Sequence, residues 1–172
     1  MIWLLYILVV IGTFSFMEAV VWATHRYVMH GFLWRLHKDH HQPEPGFFEK
    51  NDFFFIIFAV PSILLIYSGT FNHVWWMQAI GFGIMTYGFG YFLVHDVIIH
   101  QRFKWFTRSN NIYVKAIRRA HKMHHRHLEK HEGESFGMLY VHKKYWDKVR
   151  SDKNLMAAKK TEYASRADTP IS

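Results

Sequence analysis

At 172 residues, with no Pro-, Gly- or Ser-rich linker, the chain has room for one folding unit, and 51% apolar residues under a mean hydropathy of −0.07 means that the apolar ones are segregated. The absence of cysteine excludes disulfides, iron–sulfur clusters, thiolate-ligated haem, zinc ribbons and a cysteine nucleophile, so any metal binds nitrogen or oxygen. The net charge of +8 argues for a lipid bilayer and against nucleic acid, because all 21 Lys and Arg lie at Arg26 or later and none falls between Asn51 and Gln101.

From Ile2 to Thr24 the chain is apolar except for Glu18, enough for a helix of about 20 residues across about 30 Å of hydrocarbon. Without a basic leader or a small-residue cleavage site, it reads as a retained span and not as a signal peptide. Apolar runs over Phe53–Gly69 and Val74–Val94, separated by Thr70-Phe71-Asn72-His73, predict a membrane hairpin. Pro61 and the glycines Gly81, Gly83, Gly88 and Gly90 sit where a span tolerates kinks and close helix approach. Arg26, Arg35, Lys38 and Lys50 follow the first run and a basic stretch from Arg102 follows the third, so the positive-inside rule puts the amino terminus outside and the carboxyl terminus in the cytosol. A cytosolic helix is expected near 110–130, and from Ser151 the polar composition predicts an irregular, mobile tail. The expected fold is an all-α integral membrane protein of three to four spans, with a membrane domain over 1–150 and a tail over 151–172.

Ten of the fourteen histidines form a pattern that occurs twice. His25-x4-His30 is followed by His37-x2-His40-His41, and His95-x4-His100 by His121-x2-His124-His125. Arg35-Leu36-His37-Lys38-Asp39-His40-His41 and Arg119-Ala120-His121-Lys122-Met123-His124-His125 agree at five of seven positions. On a helix, residues i, i+3 and i+4 lie within an arc of about 100°, so each triplet is expected to act as one claw on a metal. The i, i+5 pairs diverge by about 140° on a regular helix, so each needs a distorted helix end or two different metals. Ten imidazoles exceed the six positions of one octahedral ion, which suggests a dinuclear site on the cytosolic membrane face. Glu18, seven residues before His25, is an intramembrane carboxylate that needs a partner, either a ligand imidazole or a group elsewhere in the bundle. Asp39 and Asp96, beside predicted ligands, are candidate acceptors for imidazole N–H groups, with a helix cap or an ion pair as the alternative for each.

Imidazole suits iron, zinc, copper and nickel alike, but ten exceed what structural or catalytic zinc uses, and a redox pair that activates dioxygen fits better. The two histidine repeats on hydrophobic spans resemble the membrane fatty acid hydroxylase and desaturase superfamily. More narrowly, His37-Lys38-Asp39-His40-His41, Phe92-Leu93-Val94-His95-Asp96 and Arg119-Ala120-His121-Lys122-Met123-His124-His125 look like the bacterial β-carotene 3-hydroxylases. The resemblance implies two iron ions, replaceable by zinc during purification, O2 as co-substrate, a ferredoxin-type electron donor and a bacterial inner-membrane location. It also implies hydroxylation of carbon 3 of each β-ionone ring of a carotenoid to give β-cryptoxanthin and zeaxanthin, with canthaxanthin to astaxanthin as a further route. No catalytic residue beyond the ten metal ligands is predicted. A fatty acyl or sterol lipid hydroxylase or desaturase is the alternative within the class, and a membrane zinc-binding or transport protein the alternative from another class.

Overall fold

The computed structural model describes residues 1–105, 107–131 and 133–167, with side chains as far as residue 161. It is helical, with no strand among the described residues. Helix α1 (Ile2–Ala23) runs on through a π-helical segment at Thr24–Phe32, and α2 (Trp34–His41) follows. A single 3-10 turn at Lys50–Asp52 leads into α3 (Phe53–Phe71). After a tight turn, α4 (Trp75–Phe92) also ends in a π-helical segment, Leu93–Ile99, and α5 (Ile112–His124) and α6 (Lys143–Ala167) complete the chain.

Three helical stretches, Ile2–Phe32, Lys50–Phe71 and Trp75–Ile99, are long and apolar enough to cross a membrane. Each follows from a long apolar run, interrupted in the first only by Glu18 before the basic residues at its end, and uncharged from Phe53 to His95 across the other two. Their outward faces carry large uncovered side chains, among them Leu4, Ile7, Ile11, Phe55, Ile63 and Leu64, so their apolarity is not consumed by a protein core. Helix α4 packs against both α1 and α3. Two glycines permit this: a Cβ at Gly81 would stand 2.9 Å from the Ser62 carbonyl oxygen, and one at Gly83 2.5 Å from Thr13 Cβ. Ser62 Oγ donates to the Gly81 carbonyl at 2.8 Å along the same contact. Gly88 and Gly90 meet no such crowding, so close approach explains only two of the four glycines predicted for it.

Beyond the spans, α5 starts at Asn111, whose Oδ1 accepts from the Tyr113 and Val114 amides at 2.8 and 3.3 Å and satisfies two of the free N–H groups of the first turn. Its apolar side, Ala116, Ile117 and Ala120, packs on Val141, Tyr145 and Val149 around the start of α6. Two expectations are corrected. The helix predicted to about residue 130 ends at His124, because the carbonyls of His127 and Lys130 turn inward to receive imidazole N–H groups. The tail predicted to be irregular from Ser151 is helical to Ala167, nucleated by the packed turns at Tyr145 and Val149 and carried on by Lys, Ala, Leu and Met, which favour helix without a partner surface. Residues 168–172 of that tail lie outside the described residues.

Candidate metal centre

The π-helical segments resolve the problem of the His-x4-His spacing. In each, backbone bonds run from residue i+5 to residue i: the Leu33 amide donates to the Val28 carbonyl at 3.0 Å, and the His100 amide to the His95 carbonyl at 2.8 Å. The wider turn brings residues five apart onto one side. The His25 and His30 rings lie 5.2 Å apart and those of His95 and His100 4.4 Å apart. Of the two solutions open to the sequence, the structure adopts the distorted helix end and keeps each pair together.

The ten patterned histidines converge on two groups. His25, His30, His37, His41 and His124 form one; His40, His95, His100 and His121 form the other, and in each group the nitrogens offered lie within 4.8 Å of one another. His125 stands beside the second group, with Nε2 2.8 Å from His121 Nε2. Each triplet is therefore divided. His37 and His41 face the first group while His40, at the edge of the same arc on α2, crosses to the second, and His124 crosses the other way from α5. The single claw expected of each triplet is corrected: residues at i and i+4 share a side, and the residue at i+3 aims across to the neighbouring group.

Hydrogen bonds fix the tautomers. Nδ1 of His25 donates to the Phe136 carbonyl at 3.0 Å, His30 to Lys130 at 3.1 Å, His41 to His127 at 2.9 Å and His124 to Glu134 at 2.8 Å. His37 Nδ1 donates to Asn51 Oδ1 at 2.7 Å, His40 Nδ1 to Glu49 Oε2 at 2.7 Å, and His95 Nδ1 faces Asp96 Oδ2 at 3.4 Å. An oxygen acceptor requires the proton on Nδ1, so each neutral ring presents an Nε2 lone pair to the interior. These lone pairs face one another: His25 and His37 at 3.1 Å, His37 and His41 at 3.2 Å, His30 and His124 at 3.3 Å, His40 and His95 at 3.0 Å. With no proton between them such contacts repel, and a cation at the centre turns them into ligation. Each group can hold a metal ion.

Burial, reinforced by neighbouring imidazoles, lowers the pKa of the rings outside the spans. His37 and His124 are held at about 2, His125 at about 3 and His41 at about 4, and His40, His100 and His121 are lowered in the same direction. The neutral form that a metal needs is thus the resting form at neutral pH.

The three predicted carboxylates take different roles. Glu18 touches no imidazole in the set above. Its Oε1 accepts from the backbone amides of Met138, Leu139 and Tyr140 at 2.9, 2.8 and 2.9 Å, and its Oε2 from Tyr87 OH at 2.6 Å. It ties the first span to the loop that carries the Phe136 and Glu134 carbonyls, which is the bundle-partner alternative. Asp39 is buried and accepts from the Lys50 amide at 2.5 Å, holding α2 to the turn before α3 in place of an imidazole. Asp96 alone faces a patterned histidine, His95. Sequence reasoning missed Glu49 and Asn51, which receive His40 and His37. Their signal was the polar run Glu49-Lys50-Asn51-Asp52 set immediately before an apolar span.

A cavity of about 300 Å³ opens between α1, α3 and α4 and ends at the second group, with Met17, Val21, Phe54, Phe58 and Ile84 on its walls and His95 and Asp96 at its polar end. Of the aromatic residues of the third span, Tyr87, Tyr91 and Phe92 line it, and Trp75, Trp76 and Phe89 do not.

The fatty acid hydroxylase family matches residues 10–151, a stretch that includes all ten histidines and the cavity. The chain belongs to that family. Within it, this hydroxylase is 43% identical to a β-carotene hydroxylase of Pantoea ananas over 82% of its own length and 80% of the relative's. It is 45% identical to one of Pseudescherichia vulneris over 79% and 77% of the two chains. A chloroplastic β-carotene 3-hydroxylase of Arabidopsis thaliana is 38% identical over 69% of this chain and 39% of the plant protein. No solved structure matches the chain.

Proposed function

We propose that this hydroxylase is a di-iron, dioxygen-dependent enzyme that adds a hydroxyl group to carbon 3 of the β-ionone rings of β-carotene, giving β-cryptoxanthin and then zeaxanthin. The observation that carries the reading is an apolar cavity whose polar end is lined by His95, a member of one of two groups of converging imidazoles. The names of the bacterial and plant relatives supply the carotenoid.

The nitrogen-only donor set fits iron, and all ten patterned histidines serve as its proposed ligands: His25, His30, His37, His41 and His124 for one ion, and His40, His95, His100, His121 and His125 for the other. When bound, the ions supply dioxygen activation: O2, two electrons, two protons and a ring C–H become a ring C–OH and water. The chain's own part is positional. Its outer acceptors lock the tautomers of seven of the ten imidazoles, as metal-bound histidines require. The walls of the cavity exclude water and hold the long hydrocarbon with one end against His95. No Gly-rich nucleotide fingerprint is visible in the sequence, so the electrons come from a ferredoxin-type donor that meets the basic residues of α5 and α6. The positive-inside rule puts the metal centre and the carboxyl terminus in the cytosol, with the spans in the bacterial inner membrane.

Pigment analysis of cells that accumulate β-carotene tests the proposal, comparing the intact chain with a His124→Ala variant. Zeaxanthin formed only with the intact chain is the expected result. Unchanged β-carotene, despite verified membrane expression and a competent donor, overturns the carotenoid assignment and makes a fatty acyl or sterol lipid the substrate to test next.

A further inference from the structure

The two histidine groups are backed differently. Around the first, four of the five rings donate to backbone carbonyls and the fifth to the amide of Asn51, all neutral acceptors. Around the second, His40 and His95 face carboxylates, Glu49 and Asp96. The other oxygen of each carboxylate is turned to one guanidinium. Arg102 Nη2 lies 2.9 Å from Glu49 Oε1, and Nη1 lies 3.2 Å from Asp96 Oδ1 and 2.9 Å from Asp52 Oδ1. Asp52 in turn is fixed by accepting from the Glu49 amide at 3.0 Å. The Arg102 side chain is only 17% exposed and forms part of the polar end of the cavity.

We propose that Arg102 is a positioning residue: its planar fork holds Glu49 and Asp96 against His40 and His95, and so makes the second metal position, the one beside the substrate cavity, the more electron-rich of the two. Two fixed donors at the ends of a rigid plane suit this role, and a lysine, which carries a single point charge, does not reproduce it. A carboxylate acceptor raises the basicity of the imidazole behind which it stands more than a carbonyl does, because the N–H bond is polarised by a full charge. The inference rests on the dimetal reading above.

The test loads purified, detergent-solubilised protein with 57Fe(II) alone and measures iron per chain and the Mössbauer spectrum. The wild type is expected to take two equivalents and to show two quadrupole doublets of equal area. In Arg102→Ala the second equivalent binds about 10–100-fold more weakly and only one doublet changes. Glu49→Gln, which keeps an acceptor but removes its charge, retains both equivalents and shifts that same doublet. A purely structural role for Arg102 moves neither doublet selectively. Two equivalents with both doublets unmoved in Arg102→Ala, or a single doublet in the wild type, overturns the assignment. If Arg102→Ala loses both equivalents through misfolding, Glu49→Gln decides, and a spectrum equal to the wild type overturns it. Fewer than two equivalents in the wild type overturns the dimetal reading itself, which separates the two failures.

Discussion

At the scale of the residue, His40 and His124 are the two rings that cross between groups, so neither can be replaced by its neighbours on the same helix. His124 is fully buried and sits opposite His30, with its own Nδ1 tied to Glu134. His124→Ala is expected to lose iron from the first group and His40→Ala from the second, each abolishing more than the about 10–100-fold that loss of an outer partner causes; metal analysis with activity checks this, and full iron content in both sinks it. Glu18 makes a different kind of prediction. Removing it strands the Met138, Leu139 and Tyr140 amides and Tyr87 OH. Glu18→Ala should lower stability by about 3 kcal/mol or more, read as a thermal-melting shift, whereas Glu18→Gln, which retains an acceptor oxygen, loses less. Acid sensitivity follows from the same burial. His41 titrates at about 4 in the folded protein, below the ordinary imidazole value of about 6.5, so between those pH values the unfolded chain binds more protons. Stability and metal retention are then greatest above about pH 6.5 and decline as pH falls toward 4, with protons competing for the ligand nitrogens in the same direction. Melting curves and chelator-release assays across that range would contradict this by staying flat or improving on acidification.

At the scale of the element, the spans were readable because an uninterrupted apolar run has few other uses, and their ends were less so because chemistry overrides periodicity there. The first and third spans extend through His30 and to Ile99 as π-helical turns that composition alone does not announce. The division of each triplet was hidden for a related reason: helical spacing orders His37, His40 and His41 around α2, but only the position of α5 and the third span tells which group each ring meets. Glu49 and Asn51 escaped notice because their role depends on a loop returning from α2 to α3. Helix α6 was misread since its polar residues look like those of a free tail, and only the spacing of Tyr145 and Val149 marks the packed start. That packing is testable. Ending the chain after Lys153 removes residues that are exposed through 161 and should leave melting and iron content unchanged. Ending it after His142 uncovers the α5 face, at about 1.5–3 kcal/mol for each large apolar side chain lost, and should release the loop that carries Glu134 and Phe136. Equal behaviour of the two truncations would show that α6 does not brace the centre.

At the scale of the whole molecule, three lipid-length helices raise one wall of a cavity each, and its polar end is lined by His95 and Asp96 with Asn51, Asp52 and Arg102 beside them. The apolar walls and the polar end of the cavity are built from different residues, so substrate shape and chemistry should be separable by mutation. Gly88 offers the means. It lines the cavity on α4, yet a Cβ placed there meets nothing within 4 Å, unlike one at Gly81 or Gly83. A leucine at this position therefore costs the bundle no backbone clash and projects into space that the hydrocarbon is proposed to fill. Gly88→Leu should fold, melt near the wild-type temperature and take up the same iron, while kcat/KM for β-carotene falls by about 10-fold or more, since one or two misplaced methylenes in an apolar pocket are worth that much. Glycine also lowers helix stability relative to residues with side chains, which adds a small gain on the stability side of the comparison. Gly81→Leu is the contrasting variant, expected to disrupt α3–α4 packing and lose expression or stability before any effect on substrate is seen. Undiminished turnover by a well-folded, iron-replete Gly88→Leu protein would mean that the ring reaches the metals by another route, and the cavity between α1, α3 and α4 would lose its claim as the substrate's path.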